Sequence, residues 1–131
     1  MREEPYKILI VEDEEALSDV LVERFQNEGF NVIKAQDGEQ ALTMALAEQP
    51  DLILLDIVMP KMSGLEMLEK LRADERGKEI MVMMLTNLSD NESVQKAVAS
   101  NAVHILVKSD WDISSIVQDV RDKLANLPKK A

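Results

Sequence analysis

Leu52 to Gly64 reads LILLDIVMPKMSG, and the fold turns on its first five residues. Leu52, Ile53, Leu54 and Leu55 form an unbroken apolar run that ends at one carboxylate, Asp56, with a Met-Pro and a Ser-Gly pair following. A short apolar run bounded by turn residues has the composition of a strand buried on both faces. Asp56 then sits where that strand leaves the sheet, half in the core and half in the crevice above it. An ionised carboxylate there is costly unless something pairs with it. The residues elsewhere that answer this need are Glu12, Asp13, Thr86 and Lys108.

On the N-terminal side, Lys7 to Val11 (KILIV) is a second buried-strand run, stopped by Glu12-Asp13-Glu14-Glu15. Acids suit a helix N-terminus, and Leu17, Val20, Leu21 and Phe25 then share a helical face until Gly29 closes it. Phe30 to Ala35 reads as a strand. Asp37 with Gln40 resembles a capping box for a helix that turns Ala41, Leu42, Ala45 and Leu46 inward and stops before Pro50. On the C-terminal side, Ser63 with Glu66 begins a helix with Leu65, Leu68 and Leu71 inward, and Gly77 falls in the charged loop DERGKE. Ile80 to Leu85 is apolar and ends at Thr86. Ser89 with Glu92 begins a fourth helix whose apolar face, Val94, Ala97 and Val98, is thin, so it is the least firmly held. Val103 to Val107 makes a fifth strand ending at Lys108, and Ser109 to Asp112 precede a last helix carrying Ile113, Ile116, Val117, Val120 and Leu124 at helical spacing.

Strands alternating with amphipathic helices predict βα units: an α/β domain with a doubly wound, five-stranded parallel sheet and five helices. Ligands of such sheets bind outside the carboxyl ends of the strands, at the switch point in strand order. Four of the five predicted strands end there in polar residues: Glu12 and Asp13, Asp56, Thr86, Lys108. Only the second, ending near Ala35, carries nothing obvious. An order 2-1-3-4-5 makes strands one and three neighbours at the switch point, so their carboxylates converge.

The 131 residues, 46% of them hydrophobic, fit one domain with a proper core, about 7–125 with short tails on either side. A formal charge of −10 argues against holding nucleic acid by neutralising phosphates. No cysteine occurs, so a disulfide framework and a thiolate metal site are excluded. The N-terminal apolar run is too short for a signal peptide and no segment reaches membrane-spanning length, which predicts a cytoplasmic protein without membrane contact. His104 is the only histidine; with no second nitrogen ligand it reads as an exposed or half-exposed strand residue. The methionines at 81, 83 and 84 read as core packing.

Three carboxylates within a few ångströms repel strongly unless a cation intervenes. A hard, oxygen-preferring ion such as Mg²⁺ takes one or two carboxylates and leaves positions for phosphate oxygens. With an ammonium from Lys108 and a hydroxyl from Thr86, the set describes a site that stabilises a transferring phosphoryl group, with Asp56 as nucleophile.

Here the sequence resembles the receiver domain of two-component response regulators, in the single-domain, chemotaxis-regulator style, from Lys7 to about Leu124. The resemblance rests on Glu12-Asp13 after KILIV, on DIVMPKMSG from Asp56 to Gly64, on Thr86 and on Lys108. It implies a flavodoxin-like fold and a phosphorylation-activated switch that is not an enzyme beyond its own phosphorylation and dephosphorylation. It implies that Asp56 takes the phosphoryl group from a histidine kinase or phosphotransfer protein. Glu12, Asp13, Asp56 and the backbone carbonyl of Val58 would hold Mg²⁺, Thr86 would swing toward the phosphoryl oxygen, and Lys108 would contact Asp56 or its phosphate. A downstream protein or an output domain would read the face made by the fourth helix, fifth strand and fifth helix, and a phosphorylation-dependent dimer is compatible with that scheme.

Four positions, at three places, depart from the family pattern. Ser109 follows the lysine where proline is usual, and Ile105 stands where an aromatic is common, with few rotamers to switch between. Val58 and Leu88, two residues after Asp56 and Thr86, are apolar where polar side chains can orient the hydrolytic water, which predicts a long-lived phosphorylated form. Three rival readings are weighed, one of them a flavodoxin-like cofactor binder, which would need a hydroxyl- and glycine-rich phosphate loop after the first strand that this chain lacks. A haloacid-dehalogenase-type phosphohydrolase would carry a second aspartate at Val58. A purely structural interaction module fits the departures but not the complete acidic site.

Overall fold

The computed structural model describes residues 5–56, 62, 64–86, 104–107 and 112–125, with Leu65, Thr86 and residues 104–107 described by their backbone. In chain order the elements are β1 (Lys7–Val11), α1 (Glu15–Asn27), β2 (Asn31–Ala35), α2 (Gly38–Glu48), β3 (Leu52–Asp56), α3 (Gly64–Ala73), β4 (Met81–Thr86), β5 (His104–Val107) and a last helix, α4 (Ile113–Ala125). The helix expected from Ser89, its Ser89–Glu92 cap and the Ser63 cap lie outside the described residues.

Local chemistry accounts for the element ends. Gly29 adopts the left-handed conformation (φ 95) that ends α1. Its N–H donates to the Gln26 carbonyl at 3.1 Å while the Phe30 N–H donates to the Phe25 carbonyl at 3.1 Å, which satisfies carbonyls the helix end would leave unmet. At the start of α2 the Asp37 carboxylate accepts the Gln40 N–H at 2.8 Å. The Gln40 side chain answers not on the Asp37 N–H, as a full capping box would, but on that of Gln36, at 2.8 Å. Asp112 caps α4, its carboxylate accepting the Ser115 N–H at 2.8 Å.

The strands pair in parallel in the order β2-β1-β3-β4-β5. This is a flavodoxin-like α/β arrangement, and its sheet separates two apolar layers. Leu9, Val11, Ile53, Leu55, Val82 and Met84 face Ala41 and Ala45 of α2 and Met67, Leu68 and Leu71 of α3. The alternate residues, Ile8, Ile10, Leu52, Leu54 and Met83, face Leu21 and Phe25 of α1 and Ile116, Val117, Val120 and Leu124 of α4. The unbroken apolar runs thus feed two cores at once, as a centrally placed parallel strand requires. Val20, expected on the inner face of α1, is instead exposed.

The register is pinned at the end of the sheet opposite the acidic residues. Buried Asp51 accepts the Lys7 N–H on its carboxylate at 2.8 Å, and its own N–H donates to the Lys7 carbonyl at 2.8 Å. Those bonds fix β1 against β3 so that Ile10 lies beside Leu54 and Val11 beside Leu55. A slip of one residue would turn every side chain to the other face, so the same latch decides which residues meet at the far end.

Candidate functional site

One step beyond the Val11–Leu55 pair the register brings Glu12 and Asp56 side by side at the carboxyl edge of the sheet. Both are almost wholly buried, at 1% and 5% exposure. Asp13, next in the chain, is exposed. Ligand oxygens from the three carboxylates all lie within 4.8 Å of one another. Glu12 is held at both its main chain and its side chain. Its N–H donates to the Ala35 carbonyl at 3.2 Å, and its carboxylate accepts the Glu14 N–H at 3.2 Å.

The other expected members arrive by register. Asp56 pairs with Leu85, so the backbone of Thr86 follows one step beyond it, and Thr86 in turn pairs with Val107, the residue before Lys108. Lys108 and Val58 lie outside the described residues, as do Ser109 and Leu88, and the side chains of Ile105 and His104 are not among those described. Three of the expected site residues, Glu12, Asp13 and Asp56, are therefore brought together by their side chains, and Thr86 by its strand end.

The donor set is all oxygen and anionic, which suits a hard divalent cation rather than a soft or nitrogen-seeking one. Donors in an octahedral Mg²⁺ shell lie about 3 to 4.2 Å apart. Carboxylate oxygens already within 4.8 Å need only side-chain adjustments to meet that spacing. Asp13 is open to solvent, while Glu12 and Asp56 are buried at the sheet edge.

The β2 edge contributes main chain where the sequence pattern promises nothing. Ala35 supplies the carbonyl that holds Glu12, and Gly38, the first residue of α2, packs directly on the backbone of Met62, six residues beyond Asp56. The only signal for it in the sequence is the Asp37-Gly38 pair directly after the strand.

A second concavity, of about 230 Å³, opens at the other end of the sheet among Gln49, Pro50, Asp51, Glu75, Arg76, Glu79 and Ile80. It is remote from the three carboxylates and is bridged by the Gln49 amide donating to the Arg76 carbonyl at 3.0 Å. Among the described residues, no helix is long and apolar enough to cross a membrane.

Comparison with known proteins identifies the family. The Response regulator receiver domain family matches residues 8–121. The chain is 36% identical over 115 residues to the DNA-binding dual master transcriptional regulator RpaA of Synechocystis, a match spanning 88% of this chain and 47% of that protein. It spans less than half the length of the curated relatives it matches. Among solved structures, the chemotaxis response regulator CheY4 of Vibrio cholerae superposes with a TM-score of 0.83 at 28% identity, covering 90% of this chain and 98% of that one. The receiver domain of a sensor histidine kinase from Pseudomonas aeruginosa, which has a magnesium ion coordinated in its active-site cleft, shares the fold with a TM-score of 0.84 at 22% identity, over 93% of this chain and 99% of its own. With the family matched across both cores and the acidic cluster at the sheet's switch point, this chain belongs to the response regulator receiver domains.

Proposed function

We propose that the chain is a two-component signalling switch that accepts a phosphoryl group on Asp56 from a histidine kinase or phosphotransfer protein in a Mg²⁺-dependent reaction. The observation that carries this reading is the convergence of Glu12, Asp13 and Asp56, with ligand oxygens within 4.8 Å of one another. Glu12, Asp13, Asp56 and the carbonyl of Val58 would hold the ion. Bound there, Mg²⁺ supplies charge neutralisation for the crowded carboxylates and for the incoming phosphoryl oxygens.

The protein's own groups do the rest. A carboxylate oxygen of Asp56 attacks phosphorus as the bond from phosphorus to the donor's imidazole nitrogen breaks. The ring leaves neutral, keeping the proton on its other nitrogen, and an acyl phosphate remains on Asp56. Lys108 stands as a point charge for the phosphoryl oxygens, and Thr86 as a hydroxyl donor to them. The new group brings roughly −1.5 to −2 charges. Drawing Thr86 toward it rearranges the chain behind β4, and the helix expected from Ser89 responds because its apolar face is thin. A downstream protein or an output domain then reads the face made by that helix, β5 and α4. The chain changes its own state and turns over no separate substrate. Its net charge of −10 favours a protein partner over nucleic acid, and the reading sets it in the cytoplasm beside its kinase.

The test is the intact mass after incubation with Mg²⁺ and a small acyl-phosphate donor, for the wild type and Asp56→Asn. Gain of one phosphoryl group by the wild type alone is the expected result. No gain in either chain refutes the switch and leaves an interaction module that keeps the fold. Sustained release of inorganic phosphate from small phosphoesters would point instead to a phosphohydrolase.

A further inference from the structure

The turn between β2 and α2, Ala35 to Gly38, touches both arms of the acidic site through main chain. On one side the Ala35 carbonyl accepts the Glu12 N–H at 3.2 Å. On the other, Gly38 lies so close to Met62 that a Cβ built on it would fall 2.9 Å from the Met62 Cβ, 3.0 Å from its carbonyl carbon and nearer still to its carbonyl oxygen. Met62 is buried in the α2–α3 core, between Asp56 and the start of α3. The turn is itself stiff. Asp37 accepts the Gln40 N–H, Gln40 accepts the Gln36 N–H, and the Ala41 N–H donates to the Asp37 carbonyl at 3.0 Å. Ala41 and Ala45 then anchor α2 in the core.

We infer that Gly38 is a positioning residue, and that the Ala35–Gly38 turn is a spacer setting the distance between the arm that carries Glu12 and the arm that follows Asp56. This inference rests on the proposed reading of the acidic site. A methyl group at residue 38 meets main-chain atoms of Met62, which cannot rotate aside as a side chain could. Relief comes only from moving the Met62 backbone away from α2 or moving the turn toward β1. Either movement changes the spacing of the carboxylates that must close on one ion. Glycine at this position therefore serves the site and not only the helix start.

Gly77 provides a matched control at the opposite end of the sheet. A Cβ there would fall 2.6 Å from the Leu71 Cδ1 and 2.8 Å from its Cγ, and would crowd the Leu71 carbonyl oxygen, a comparable intrusion remote from the acids. The experiment compares wild type, Gly38→Ala and Gly77→Ala, each full chain titrated with Mg²⁺ and followed by amide chemical shifts, with urea unfolding measured in parallel. The expected result is a Mg²⁺ dissociation constant raised about tenfold in Gly38→Ala, the lower end of what residues that orient metal ligands contribute. Gly77→Ala loses stability but keeps the wild-type constant. Phosphorylation of Gly38→Ala by an acyl phosphate should recover at saturating Mg²⁺, a split that general structural damage would not produce.

A wild-type constant in Gly38→Ala, or an equal rise in Gly77→Ala, overturns the inference. If Gly38→Ala does not fold, Asp37→Ala carries the test: it loosens the turn without adding an atom, and it should weaken Mg²⁺ binding several-fold, whereas an unchanged constant overturns the spacer. A wild type that neither binds Mg²⁺ nor gains a phosphoryl group refutes the underlying reading and the inference with it. A wild type that does both, matched by Gly38→Ala, refutes the spacer alone.

Discussion

Replacing Asp56 by Asn should stabilise the metal-free protein, because it removes one of three negative charges that the fold forces together. The carboxylate oxygens of Glu12, Asp13 and Asp56 lie within 4.8 Å of one another. Two unit charges at that separation repel by about 3.5 kcal/mol at an effective dielectric of about 20, and by about 0.9 kcal/mol in water. Asp13 is exposed and its repulsion falls near the water figure, while Glu12 and Asp56 are buried and lie nearer the other. The other bonds Asp56 makes in the fold offset part of the gain, so the expected net stabilisation is about 1 to 3 kcal/mol. Urea unfolding followed by circular dichroism, in chelator and at low salt, measures it. The midpoint of Asp56→Asn should exceed that of the wild type, and added monovalent salt should narrow the gap by screening the exposed charge. Mg²⁺ should then reverse the order. At about a hundred times its dissociation constant a ligand adds about 2.7 kcal/mol to the chain that binds it, and the variant lacks one of the carboxylates that would bind it. Equal or lower stability of Asp56→Asn in chelator refutes the argument that the acids are held in mutual repulsion.

Four further outcomes follow from named residues. Leu54→Ala, at 0% exposure between α1 and α4, should cost about 2 to 5 kcal/mol of unfolding free energy, and a loss well under that range would mean that the layer is loosely packed. Asp112→Ala should lower stability by about 1 kcal/mol through loss of the bond to the Ser115 N–H, readable as a shifted urea midpoint with unchanged slope. Bonds from Arg121 and then Arg24 hold the Glu28 carboxyl below the ordinary glutamate range. A depressed folded-state pKa gives stability that is present above the unfolded value, about pH 4.3, and is lost as pH falls through the folded one. The gap in urea midpoint between wild type and Glu28→Gln should therefore be constant at neutral pH and shrink only below about pH 4.3, and a gap that grows on acidification contradicts the sign. Finally, polar substitutions at Val58 and Leu88 should shorten the lifetime of phosphorylated Asp56, and an unchanged decay rate counts against apolar shielding of the acyl phosphate.

What was legible in the sequence, and what was not, divides along the line between side chain and main chain. The apolar runs at Lys7–Val11 and Leu52–Asp56 announce buried parallel strands because both faces need covering, and the polar residue ending each run marks the edge where chemistry can occur. Strand order then makes Glu12 and Asp56 neighbours, and the β1–β3 register puts them one step past the Val11–Leu55 pair. Met67 escapes the pattern because the leucines of α3 already fill a helical stripe, yet it is fully buried between them. Gly77 sits in a stretch of charges that reads as solvated loop, but the loop folds back over Leu71. There Arg72 donates to the Gly77 carbonyl at 2.8 Å and to the Ile80 carbonyl at 2.7 Å, so the glycine is buried by the charges around it.

The end of β2 is the sharpest case. Its side chains carry no chemistry, so a reading by residue type leaves it empty, while its carbonyl and the bare Cα of Gly38 brace both arms of the acidic cluster. The acids mark the candidate site, but their spacing is set by backbone atoms that every residue possesses. Only the glycine, required where any side chain would collide, leaves a trace of that spacing in the sequence.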